Sequence, residues 1–154
     1  MRRHSPPEPE AEIDAAAAEL QRTLHLLLPI RRQRLSRSER QQREQEQALQ
    51  AVFEESRQTE RRLTEKRDAY QQLRATFMQT NGGVQQQKFL LERALQAEQQ
   101  AAELVDSECL NLHQLAQQKV EQQQRVEQAQ QETRLRQREV EKLEYLLEQS
   151  EVTG

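Results

Sequence analysis

The sequence predicts an all-α fold, a long antiparallel two-helix coiled-coil hairpin, and three observations carry that expectation. Apolar residues recur at three- and four-residue steps in heptad frames that hold along most of the chain. The strongest break is Asn81-Gly82-Gly83, which divides two segments of similar length. Finally, a composition of 34% hydrophobic, 3% aromatic and 32% charged residues falls short of the apolar share of about 45–50% found in ordinary globular domains. Apolar material this sparse suits one narrow seam between two helices.

Taken in order, residues 1–10 hold three of the four prolines and little that is apolar, so they are expected to be a disordered tail. Residues 11–80 form the first helical arm. Ile13, Ala17, Leu20, Leu24 and Leu27 give its opening the richest apolar stripe in the chain. Pro29 interrupts that stripe. It lacks an amide hydrogen and clashes with the carbonyl four residues back, so a kink or short break is expected there. From Leu28 to Thr80 one frame places Leu28, Leu35, Gln42, Leu49, Ser56, Leu63, Tyr70 and Phe77 at heptad position a.

Residues 81–83 are the expected turn, because Asn81, Gly82 and Gly83 tolerate the left-handed conformation that ends a helix. Asn-Gly also starts β-hairpins, but the alternating β-branched flanks that reading needs are missing. Residues 84–149 form the second arm, with Val84, Leu91, Glu98, Val105, Leu112, Lys119, Val126, Thr133, Val140 and Leu147 at a. Residues 150–154 are expected to fray.

Polar residues within the two seams suggest a register. A hairpin turning at Gly82 sets Lys66 opposite Glu98, Gln42 opposite Gln122, Gln45 opposite Lys119 and Ser56 opposite Glu108. Leu49 then meets Leu115, Val52 meets Leu112 and Leu73 meets Leu91. A slip of one heptad would leave buried polar groups unmatched, at about 1–3 kcal/mol each. Gln42, Gln45, Lys66, Glu98, Lys119 and Gln122 are therefore expected to set the register, and a chain that covers its own seam is expected to be monomeric when isolated.

Several function classes lack support. A narrow seam offers no pocket to enclose a substrate, so no enzyme is expected. His4, His25 and His113 share no face with one another or with paired carboxylates, and Cys109 is the single cysteine, so neither a metal, a cofactor nor an internal disulfide is expected. With net charge −3 and acids interleaved among the bases, nucleic acid is not the expected partner. No apolar run approaches the roughly 18 residues of a membrane span, so no membrane insertion is expected. A single thiol fits a reducing cytoplasm.

One charged feature stands out. Between Ile30 and Arg43 lie Arg31, Arg32, Arg34, Arg37, Arg40 and Arg43, with Glu39 the sole acid. The second arm carries Arg134, Arg136 and Arg138 in the stretch expected to pair with it. Charge runs on helices are commonly solvated faces; here the alternative is a docking surface for an acidic partner.

Residues 26–40, Leu-Leu-Leu-Pro-Ile-Arg-Arg-Gln-Arg-Leu-Ser-Arg-Ser-Glu-Arg, followed by Gln/Glu/Arg heptads, resemble the amino-terminal arm of the YscO/HrpO/FliJ family of type III secretion proteins. Residues 132–147, Glu-Thr-Arg-Leu-Arg-Gln-Arg-Glu-Val-Glu-Lys-Leu-Glu-Tyr-Leu-Leu, are similar to its carboxy-terminal arm. The resemblance implies a central stalk of the secretion ATPase hexamer, joined to the cytosolic domain of the export gate and handling secretion chaperones. It also implies a cytoplasmic place beside the inner-membrane apparatus, with export of the protein itself left open. On that implication Arg31, Arg32, Arg34, Arg37, Arg134, Arg136 and Arg138 are the partner-binding residues. The proline-rich start and Pro29 do not map onto the family pattern. A coiled-coil scaffold or adaptor, and a helical chaperone-like binder, remain alternatives.

Overall fold

The computed structural model describes residues 9–81 and 88–153. It is all-α: α1 (Pro9–Asn81) and α2 (Lys88–Thr153) pack against each other as an antiparallel helical hairpin. The chain forms two units, one from the chain up to Gln45 and from Arg125 onward, the other from Glu46–Gln124. They are called the terminal and the inner unit below.

Helix α1 starts inside the expected tail, because Pro9 suits a first turn, where its missing N–H has no partner to lose. Glu10 and Glu12 in that turn complement the positive end of the helix dipole. Of the kink or short break expected at Pro29, the break does not occur, and α1 is continuous through it. Leu24, Leu27 and Leu28 just before the proline pack on Leu143 and Leu147 of α2. Burial of several leucines, at about 1.5–3 kcal/mol each, offsets the roughly 3 kcal/mol that an interior proline costs. At the other end α2 continues to Thr153, through most of the stretch expected to fray. Of the expected turn, Asn81 is the last residue of α1, while Gly82 and Gly83 lie outside the described residues.

The inward-facing positions follow the heptad frames. In the terminal unit Leu24, Leu28, Leu35, Ser38, Gln42 and Gln45 are buried or half-buried, and Val126, Ala129, Thr133, Arg136, Val140, Leu143 and Leu147 answer them on α2. Leu73 and Leu91, at the expected seam of the inner unit, are both exposed.

The register differs from expectation by about one heptad. In the terminal unit the hydroxyls of Ser38 and Thr133 lie 3.1 Å apart, whereas a turn at Gly82 would have put Ser38 opposite Val126. In the inner unit Glu98 pairs with Arg74 at 3.8 Å rather than with Lys66, and Glu108 pairs with Arg62 at 3.6 Å rather than facing Ser56. Lys119 Nζ sits 4.3 Å from the centroid of the Phe53 ring, displaced from its expected place beside Gln45. In the same register Leu49 comes opposite the buried Gln122 rather than Leu115.

Side-chain length explains the difference. Matching polar layers would matter if every polar seam residue were trapped, but Gln, Glu, Lys and Arg can lay their stems along the seam and lift their heads to water. Glu98 keeps a quarter of its side chain exposed in this way. Short hydroxyls cannot escape. Thr133 donates to the carbonyl of Ala129 at 2.9 Å, so its one proton is engaged and Ser38 is the donor between the two. The leucines of the terminal unit add the second constraint, since Leu24 and Leu28 meet Leu147 and Leu143 only in the observed register.

Candidate docking surface

The seven arginines expected to bind a partner lie in the terminal unit, but its packing divides them. Arg31 falls at a seam position and is half-buried, and its Nη1 donates to the backbone carbonyl of Glu139 at 3.1 Å. Arg32 crosses the flank of the seam to pair with Glu144 Oε1 at 3.2 Å. Arg136 is also at a seam position, held by Glu132 at 2.9 Å and Glu139 at 3.3 Å along its own helix. The hydrogen bond that Arg136 donates to Glu139, then the charge of Glu132, raise the Arg136 guanidinium above its ordinary value. Arg31 and Arg32 thus bridge the two helices, while Arg136 is neutralised within α2.

The remaining four behave differently. Arg34, Arg37, Arg134 and Arg138 are exposed, and among the described residues none has an ion pair. Arg34 and Arg37 stand three residues apart, so they share one face of α1. They line a groove of about 190 Å³ with Ser38, Gln41, Glu132 and Arg136. The groove is lined by three guanidinium groups and one carboxylate, Glu132, so it keeps a net positive charge. Arg134 and Arg138, four residues apart on α2, form a second exposed pair. Such surface charges act through many weak contacts that salt screens over about 8–10 Å.

The residues expected to set the register are spread over both units. Gln42 and Gln45 are half-buried in the terminal unit, Gln45 beside a groove with Arg125, Gln128 and Ala129. Lys66, Glu98, Lys119 and Gln122 are in the inner unit, where Lys119 stacks on Phe53 and Glu98 pairs with Arg74. One oxygen of Glu108, buried and without a hydrogen bond, faces Arg62 across 3.6 Å. Thr59, 1% exposed, donates to the Glu55 carbonyl and accepts from Arg62 Nη2, each at 2.9 Å.

Glu132, Glu139 and Glu144 were not singled out from the sequence. Two of them could have been found there, since Glu132 and Glu139 stand four and three residues from Arg136, the spacing at which helical side chains meet. Glu144 could not, because its pairing with Arg32 depends on the register.

His25 and His113 are exposed, and Cys109 is half-buried with Arg67 Nη2 at 3.9 Å from its sulfur. Among the described residues no group of three or more His, Cys, Asp or Glu could hold a metal ion. No described helix is long and apolar enough to cross a membrane. No family model, no curated protein and no solved structure matches the chain.

Proposed function

We propose that this chain is a non-catalytic central stalk of a bacterial type III secretion system, of the YscO/HrpO/FliJ kind, which docks on the hexameric secretion ATPase and connects it with the export gate. On this reading it works in the cytoplasm beside the inner-membrane apparatus and handles secretion chaperones. The observation that carries the proposal is the division of the arginines. Arg31 and Arg32 bridge the two helices and Arg136 is paired within α2, while Arg34, Arg37, Arg134 and Arg138 are left without ion pairs on both helices of one unit. A stalk inside a cycling ring needs weak contacts that tolerate several orientations, and exposed guanidinium groups on a stiff helix pair supply them. The hairpin fold and the resemblance of residues 26–40 and 132–147 support the same reading.

The test is a pull-down with the cognate ATPase and, separately, with the export-gate cytosolic domain. Replacing Arg34, Arg37, Arg134 and Arg138 by Glu is expected to weaken ATPase binding at least about tenfold, since four exposed pairs at a few tenths of a kcal/mol each sum to that order. Arg61→Glu with Lys88→Glu, two exposed changes in the inner unit, is expected to leave it unchanged. An unaltered fourfold variant would reject the arginine surface. Failure of the unmodified protein to bind the ATPase would reject the stalk and favour an adaptor role.

A further inference from the structure

The hairpin seam leaves a second stripe of α1 uncovered. In the heptad frame of the first arm, positions c and f, with the g positions other than Leu27, which packs on α2, form an exposed face between residues 9 and 43. Its apolar residues are Ile13, Leu20, Leu26 and Ile30, all exposed, with Leu26 retaining 73% of its surface. Ala16 continues the stripe and is also exposed. Charge on this face is segregated by sign. Glu12 and Glu19 occupy its amino-terminal half, which carries no base, and Arg34, Arg37 and Arg40 occupy its carboxy-terminal half, which carries no acid. All five are exposed, and among the described residues none has an ion pair.

A face that is acidic at one end, basic at the other and apolar in the middle is complementary to its own reverse. From this we infer that α1 is a self-association face, on which a second copy of the chain docks antiparallel about a two-fold axis near Leu26. Treating positions c and g as a second seam, with f at its flank, sets Leu20 against the partner's Ile30 and Leu26 against the partner's Leu26. The same register brings Glu12 to the partner's Arg40, and sets Arg34 and Arg37 over the partner's Ala16 and Ile13. The contact is isologous, so each of these pairs occurs twice and the assembly closes at two copies. A parallel arrangement would stack acids on acids and arginines on arginines. The stripe is about 50 Å long at 1.5 Å per residue, enough to bury on the order of 1,000 Å² in total, which belongs with weak, reversible interfaces. The expectation of an isolated monomer assumed that the seam uses up the apolar residues, and these exposed side chains show that it does not. This inference does not rest on the stalk reading, but Arg34 and Arg37 belong to both surfaces, so a second copy and the ATPase would compete for them.

The experiment is sedimentation equilibrium of the full chain, alone, at up to about 100 µM. Raising salt from about 50 mM to about 500 mM, which shortens the screening length from roughly 14 Å to roughly 4 Å, is expected to weaken the dimer at least about tenfold. A charge-swap pair then tests the face itself. Glu12→Arg with Glu19→Arg, and Arg34→Glu with Arg37→Glu and Arg40→Glu, should each be monomeric alone and form a heterodimer when mixed. In parallel, Leu26→Cys in a Cys109→Ser background should form a disulfide-linked dimer, and Leu104→Cys, at another exposed position, should not. The inference is overturned by a monomer throughout at low salt, by a dimer that both charge variants retain, or by equal cross-linking at positions 26 and 104. A monomer would leave the face to a different helical partner. Should a charge variant fail to fold, the cysteine result decides.

Discussion

At the scale of single residues, the shortest polar side chains in the seam matter most. Ser38 and Thr133 are bound to each other, and Thr133 is tied in turn to Ala129. Replacing Thr133 with Val leaves the Ser38 hydroxyl, 5% exposed, without its acceptor, and is expected to cost about 1–2 kcal/mol in urea unfolding. Adding Ser38→Ala should recover about 1 kcal/mol of that, because removing both partners leaves no orphan. Strict additivity of the two changes would mean that the bond contributes nothing. Arg31 and Arg32 show how residue type alone misleads. Both read as free cations in the sequence, yet one donates to the Glu139 carbonyl and the other pairs with Glu144. Their reversal to Glu is therefore expected to lower the unfolding midpoint, whereas reversal of Arg34 and Arg37 is not. Thermal melts followed by circular dichroism separate the two cases.

At the scale of the helix, α1 carries a proline that its neighbours hold in place. The leucine cluster of Leu24, Leu27 and Leu28 on Leu143 and Leu147 keeps the chain helical on either side of Pro29. Pro29→Ala restores an amide donor and removes a clash, so it is expected to stabilise the protein by about 1–3 kcal/mol. Leu143→Ala empties the best-buried position, 1% exposed, and is expected to cost about 2–5 kcal/mol. With the cluster weakened, the segment around Pro29 should lose amide protection first. Hydrogen exchange on Leu143→Ala measures this, and uniform loss along α1 would show that the cluster has no special hold on the proline.

At the scale of the hairpin, the register decides which side chains meet. A cysteine pair at Ser38 and Thr133, with Cys109→Ser, is expected to close an intramolecular disulfide, because the two side chains already touch. The pair at Ser38 and Val126, which a turn centred on Gly82 would juxtapose, is expected to stay reduced under the same oxidant. The opposite outcome would restore the register inferred from matched polar layers and displace the contacts of Arg31, Arg32 and Arg62 with it.

Helix type, the two arms and their inward-facing positions were legible in the amino-acid sequence, because heptad spacing is a local property that one chain records unaided. The arginine cluster was legible for the same reason, as was the spacing of Glu132 and Glu139 about Arg136. Which α1 residue faces which α2 residue was not. That choice is made by the leucines of the terminal unit and by the Ser38–Thr133 bond, while longer polar side chains such as Glu98 reach water from the seam, Gln122 and Glu108 excepted, and exert little preference between registers one heptad apart. The tertiary structure alone therefore decided which arginines close the hairpin and which remain free to dock, since a guanidinium is engaged or exposed according to the carboxylate or carbonyl that the opposite helix brings within its reach.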